Sequence, residues 1–174
     1  NIDGGGVWEK SSGDWHAHKD PKFKGSPNAF SARGTSQADA ILLSGYHFLN
    51  HLDYSVAILN NNAREFGVVF GYQDTQNYFK AVIAQENHYQ EFRIFHVYGN
   101  DPKMLYRTAV SLLPGSWYRF QVKLHAGDGI EVGIDDRALY NQELPHTCLG
   151  RFGLFVAGGS ADFDDVEVIS PPAT

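Results

Sequence analysis

The segment Gly67-Val-Val-Phe-Gly-Tyr-Gln-Asp-Thr-Gln-Asn-Tyr-Phe-Lys80, read with Phe163-Asp-Asp-Val-Glu-Val168, limits what this chain can fold into more than any other feature. Both stretches alternate apolar and polar residues with a period of two, as a strand does when one face lies in a core. The first is split by Gln73-Asp-Thr-Gln-Asn77, a connector rich in turn formers between two aromatic-rich runs. Such units build antiparallel sheet.

Helical periodicity is almost absent from the remainder. Aromatic and β-branched residues come in short runs divided by Gly, Asn, Asp and Pro, the signature of an all-β chain. The runs predict strands over 28–33, 38–44, 52–60, 66–72, 78–85, 89–98, 104–110, 117–125, 130–134, 151–157 and 161–169. That many short strands suit a jelly-roll-like sandwich of two antiparallel sheets better than a small barrel. Ala126-Gly-Asp-Gly129 predicts a tight hairpin, because Gly and Asp supply the positive φ such turns need, and Asp135-Asp-Arg137 reads as a second turn between two apolar runs. Residues 16–27 have no period and predict a long surface loop.

The 174 residues suit one domain, expected over 1–170, with 171–174 as the start of a linker or a frayed tail. The single Cys148 can form no internal disulfide. A net charge of −6 without a basic stripe argues against nucleic acid as a partner. The longest apolar runs, Ala40-Ile-Leu-Leu43 and Phe152-Gly-Leu-Phe-Val-Ala157, are far too short to span a membrane. The chain opens on Asn1 and closes on the linker-like Ser170-Pro-Pro-Ala-Thr174, so a module of a longer protein, or a processed mature chain, is expected.

Strand parity nominates the chemistry. Val68, Phe70 and Tyr72 are expected to face the core, followed by Phe79, Ala81 and Ile83, then Phe92, Ile94 and His96. That leaves Tyr78, Lys80, Glu91 and Arg93 outward on neighbouring strands, with Gly71 opening space among them. A flat ring, two cations and a carboxylate are what a sugar needs: stacking under its C–H face and charge-assisted bonds to its hydroxyls. The same row also reads as a solvated sheet face with cross-strand ion pairs. Asp164 shares parity with Val166 and Val168 and is expected inward, which is costly unless the carboxylate is paired or bound to a hard cation. His16 and His18 form half of a transition-metal site, but the other six histidines are dispersed. Trp15 and Phe23 are expected as exposed loop rings, an alternative grip on a sugar. No Gly-x-Ser-x-Gly elbow is present.

Several phrases resemble a known group. Gly67 to Lys80 is similar to the G-L-V-F-R-Y-x-D-x-x-N-Y-Y-x phrase of concanavalin A-like, laminin-G-like sandwiches, and Phe163-Asp-Asp-Val166 to their closing F-D-D-V. Leu52-Asp-Tyr-Ser-Val-Ala-Ile58, Pro114-Gly-Ser-Trp-Tyr-Arg-Phe-Gln-Val122 and Gly150-Arg-Phe-Gly-Leu-Phe155 resemble further strands of that group, in its order. The resemblance covers nearly the whole chain. It implies an all-β, concanavalin A-like jelly-roll fold and a polysaccharide or oligosaccharide as partner. It points to a non-catalytic carbohydrate-binding module of a secreted polysaccharide-degrading enzyme, most similar to fructan-binding modules of exo-levanases. The alternatives it leaves are a glycoside hydrolase or polysaccharide lyase, and a cell-surface, glycan-binding adhesin domain. Relatives often carry Arg at the place of Gly71, so its replacement here either opens room for a ligand or moves the central cation to Lys80 or Arg93. Relatives also place Ca²⁺ near the closing strand, which implies a structural ion on Asp164. Asp162-Phe-Asp-Asp-Val-Glu167 resembles the E-x-D-x-x-E of retaining glucanases, but strict alternation would put Glu167 on the face opposite Asp162.

Overall fold

The computed structural model describes residues 9–19, 30–47, 52–86, 89–99, 101–113, 115–125, 129–143 and 150–169. Every regular element among them is a strand. In chain order these are β1 (Glu9–Ser12), β2 (Asp14–Lys19), β3 (Phe30–His47), β4 (Leu52–Asn60), β5 (Glu65–Asp74) and β6 (Asn77–Glu86). They are followed by β7 (Tyr89–Tyr98), β8 (Asp101–Ala109), β9 (Trp117–His125), β10 (Gly129–Ile134), β11 (Arg137–Glu143) and β12 (Arg151–Ile169). All pairings are antiparallel.

Two long strands join two sheets. The first half of β12 pairs with β5 on one side and with residues 39–47 of β3 on the other. Its second half pairs with β4 and with residues 32–36 of β3. The first sheet therefore runs β1-β3-β12-β5-β6-β7-β8, and the second β2-β3-β12-β4-β9-β10-β11. At the crease, Gly158 and Gly159 have φ of 67° and 147°, values a side chain opposes. Across this crease the inward set of β12 changes from Phe152, Leu154 and Val156 to Ala161 and Phe163.

The main core fills the space between the sheets. Val68, Phe70, Phe79, Ala81, Ile83, Phe92 and Ile94 from the first sheet meet Tyr54, Val56, Ile58, Phe120, Val122, Ile130 and Val132 from the second. The seven from the first sheet are among the residues that period-two reading sends inward, a set that also held Tyr72 and His96. The jelly-roll sandwich expected from the sequence is the observed fold.

Several local expectations change. Residues 30–33 and 38–44 of two expected strands belong to one continuous strand, β3, while 28 and 29 lie outside the described residues. Residues 16–19 of the expected loop are part of β2, where they pair with β3. Trp15 is buried rather than exposed: its indole N–H donates to the Ser12 carbonyl at 2.9 Å and its ring lies 5.5 Å from Phe163. The 135–137 turn forms as expected, with Asp135 and Asp136 at φ 51° and 65° and Asp135 Oδ1 accepting from the Arg119 amide. Residues 126–128 of the other expected hairpin, Phe23, Cys148 and the tail 171–174 lie outside the described residues.

Candidate functional site

The outer face of the first sheet, where the sequence places the candidate residues, carries a second apolar layer. Ile41, Leu43, Val69, Tyr72, Tyr78, Val82, Val97, Phe155 and Ala157 form one buried cluster there. Phe66 through Tyr72 on β5 and Tyr78 through Ala84 on β6 are buried without a break. The expectation of a one-sided strand is thus corrected: both faces of β5 and β6 are covered. The signal was in the sequence as the continuous runs Val68-Val69-Phe70 and Ala81-Val82-Ile83-Ala84, which mark strands buried on both sides.

Tyr72 belongs to this outer layer and not to the core. After the Phe70↔Phe79 pair, Gly71, Tyr72 and Gln73 together oppose the single residue Tyr78 before Asp74↔Asn77 restores the ladder. Gly71 makes the irregularity possible at φ 57°. Tyr72 thereby meets the Tyr78 ring at 5.5 Å, and its hydroxyl lies 2.9 Å from Ser11 Oγ.

Each of the five nominated sugar contacts is on or beside this face, but they do not form one open patch. Lys80 is 7% exposed. Its Nζ lies over the Phe155 ring at 4.5 Å and the Phe95 ring at 4.9 Å, and 3.7 Å from Glu65 Oε1. The ammonium is packed between rings. Tyr78 is also buried, and its phenol is pushed up to about 12, first by burial and then by Asp39, Tyr72 and Glu65. It therefore keeps its proton throughout the physiological range.

Glu91 and Arg93 sit at the other end of β6–β7. Arg93 is opposite Val82, four residues from Tyr78, so about 13 Å separates the two groups along the sheet. Arg93 Nε donates to Glu91 Oε1 and the exposed Tyr89 hydroxyl donates to Glu91 Oε2, both at 2.8 Å. Those two bonds, Arg93's the larger, hold the Glu91 carboxyl below its ordinary value. Arg107 is opposite Arg93 on β8. The result is an oriented ring, carboxylate and guanidinium at the rim of the face.

Gly71 and Tyr78 belong instead to an open cleft of about 170 Å³ at the β5–β6 end of the sandwich, lined also by Gln73, Asn77, Phe79, His96 and Tyr98. The four residues beyond Gly71, Tyr78 and Phe79 went unnoticed in the sequence, because Gln73, Asn77 and Tyr98 read as turn or strand-end residues and His96 as core. A second depression, about 260 Å³, lies on the outer face of the second sheet among Asp53, Ser55, Arg119, Gln121, Lys123 and Glu167. Asp53 is opposite Lys123 and Ser55 opposite Gln121, so its charges of both signs stand in register on neighbouring strands.

The β12 carboxylates differ most from expectation. Asp164 pairs with Ala57 and Glu167 with Ser55, so β12 carries one extra residue between them. This bulge returns Glu167 to the face of Asp162 and Asp164, where strict alternation had placed it opposite. Asp164 lies beside the core residue Phe163 and so points away from the core; the expected inward orientation is corrected. The described residues contain no group of three or more His, Cys, Asp or Glu able to hold a metal. Asp162 is 3% exposed and held by Arg33, whose Nε and Nη2 donate to its two oxygens at 2.7 and 3.0 Å, with Asn61 Nδ2 at 3.3 Å. A carboxylate so engaged is a structural counter-ion, not a free nucleophile.

Comparisons place the architecture among known proteins. No protein-family model matches the chain, and no curated protein sequence does. Among solved structures it is similar to the carbohydrate binding module CBM66 from Bacillus subtilis, with TM-score 0.76 and 19% identity over 94% of this chain and 95% of that one. It is also similar to the T. cruzi calreticulin globular domain, with TM-score 0.66 and 12% identity over 95% and 84% of the two chains. A legume lectin-like domain from Entamoeba histolytica gives TM-score 0.64 and 12% identity over 95% and 90%. The fold is the concanavalin A-like jelly roll.

Proposed function

We propose that this chain is a non-catalytic carbohydrate-binding module that holds a secreted polysaccharide-degrading enzyme on its glycan. One observation carries the reading: the carbohydrate binding module from Bacillus subtilis superimposes over nearly the full length of both chains. Fold likeness alone does not assign a ligand, so the reading leans also on the rim of the first sheet. There Tyr89 offers an exposed ring and Arg93 a part-exposed guanidinium, oriented by Glu91, whose carboxylate is buried and bonded to both. Lys80 supports that face from beneath, through Phe95 and Phe155. Against the hydrolase alternative stands Asp162, whose two oxygens are occupied by Arg33.

Calcium enters only through Asp164. The bulge sets Glu167 beside it on the outer face, which supplies two described carboxylates. Ca²⁺ takes about six to eight oxygens, so the described donors alone do not complete a shell.

A glycan microarray followed by titration calorimetry of the best ligand tests the reading. The parent should bind with micromolar to millimolar Kd and release no new reducing ends. Arg93→Ala should bind roughly tenfold more weakly, the loss of one charge-assisted bond. Absence of any glycan ligand, or turnover of the ligand, overturns the proposal.

A further inference from the structure

We infer that the cleft at the β5–β6 end is a second sugar-contacting site, built for one uncharged sugar unit and read mainly by Tyr98, His96 and Asn77. The inference rests on the glycan-binding reading above but uses residues that reading does not.

Four aromatic rings run from the core into this cleft. Phe70 and Phe79 stack at 5.5 Å and 10°, Phe79 and His96 at 4.3 Å and 8°, and His96 reaches Tyr98 at 6.1 Å. Exposure rises along the series from 1% at Phe70 and 3% at Phe79, through half-buried His96, to 71% at Tyr98. The buried rings fix the plane of the imidazole, and the exposed ring projects past it. A core that ends on an exposed tyrosine above an open cleft presents a flat apolar surface with a hydroxyl at its edge, the shape that accepts the C–H face of a sugar.

The polar side is prearranged as well. Asn77 Nδ2 donates to both oxygens of Asp74 at 2.9 and 3.0 Å, which fixes the amide. The Gly99 amide donates to the Gln76 carbonyl at 2.8 Å, tying the β7–β8 turn to the β5–β6 turn that forms the other wall. Walls already held in place reduce the ordering cost of binding. Gly71, in its left-handed conformation, presents no side chain to the cleft.

The chemistry of the lining selects the ligand class. No described lining residue is a carboxylate, ammonium or guanidinium, and Lys103 stands opposite His96 on β8, outside the lining. An anionic sugar would shed water here with no opposite charge among the described lining residues to meet it, whereas hydroxyls can pair with the amides of Asn77 and Gln73. The rim at Glu91 and Arg93 has the opposite character. Tyr98 and Arg93 lie five residues apart on β7, roughly 17 Å, so a single sugar unit cannot touch both.

The test is an amide-resolved NMR titration of the whole chain with methyl glycosides of neutral hexoses and pentoses, with methyl glucuronide as the charged comparison. At least one neutral glycoside should shift the amides of Asn77 and Tyr98 before those of Glu91 and Arg93. Tyr98→Ala should weaken that ligand about tenfold and leave the thermal midpoint unchanged, because the ring is exposed. Asn77→Ala should act in the same direction. If sugars shift only the Tyr89–Arg93 end, or Tyr98→Ala binds like the parent, the cleft assignment fails while glycan binding stands. If no glycoside and no array glycan binds, both fail.

Discussion

Arg33→Ala tests whether β12 carries a structural ion pair or catalytic machinery. In the parent, the Asp162 side chain is 4% exposed and receives two bonds from Arg33, at 2.7 and 3.0 Å. Removing the guanidinium leaves the carboxylate with Asn61 at 3.3 Å among its named partners. Breaking a buried pair in this way costs about 3–5 kcal/mol. The Arg33 side chain is 28% exposed, so water can enter the vacated space, and the lower end of about 3 kcal/mol is expected. For a domain of this size each kcal/mol lowers the thermal midpoint by about 2–4 °C, so a fall of about 6–12 °C should follow. Urea unfolding monitored by tryptophan fluorescence gives the free energy directly. Arg33→Leu combined with Asp162→Leu should recover much of the loss, because no unpaired charge then remains buried. A cost below about 0.5 kcal/mol for Arg33→Ala would refute the structural role. So would loss of an enzymatic activity in Asp162→Asn with stability intact.

Lys80→Met keeps the aliphatic stem but removes the charge over Phe95 and Phe155; a loss of about 1–2 kcal/mol with glycan affinity unchanged is expected by calorimetry, and the reverse pattern would make Lys80 a direct contact. Glu91 titrates below its ordinary 4.5 in the folded state, so its contribution is present above the unfolded value and is lost as pH falls through the folded one. Thermal midpoints should thus fall more steeply between about pH 5 and pH 3 for the parent than for Arg93→Gln, and run parallel above about pH 6. If Asp164 holds Ca²⁺, EDTA should lower the midpoint and Asp164→Ala should erase the difference; identical curves, with no calcium by elemental analysis, remove the ion from the proposal.

The architecture was legible because strand parity is a local property, repeated in every element. Tyr54-Ser-Val-Ala-Ile58 and Ile130-Glu-Val-Gly-Ile134 send their apolar residues to one core as written. The site was less legible, for two physical reasons. Parity holds only while the ladder is regular, and the irregularities at 71–73 and 164–167 turn Tyr72 and Glu167 to the other face. Parity also says which side a residue faces but not whether that side is covered, so Lys80 could be placed outward correctly and still be buried. The cleft rings at His96 and Tyr98 were missed because one lies at the end of the core and the other beyond it. No sequence period marks where a core stops.

The shared strand β12 governs the order in which the molecule can be made. It lies between β3 and β4 in one sheet and between β3 and β5 in the other, yet it follows all the other described strands in the sequence. As a ribosome delivers the polypeptide, hairpins such as β5–β6 and β6–β7 can pair as soon as they emerge, since their partners are adjacent. Neither sheet can close across its centre until residues 151–169 arrive. The nascent chain therefore carries open edges on β3, β4 and β5 until β12 emerges, and those edges are where premature pairing with a neighbouring chain would begin. Pairing across such long sequence separations places this domain among slow folders, milliseconds to seconds, so the edges stay open for about that long after residues 151–169 arrive.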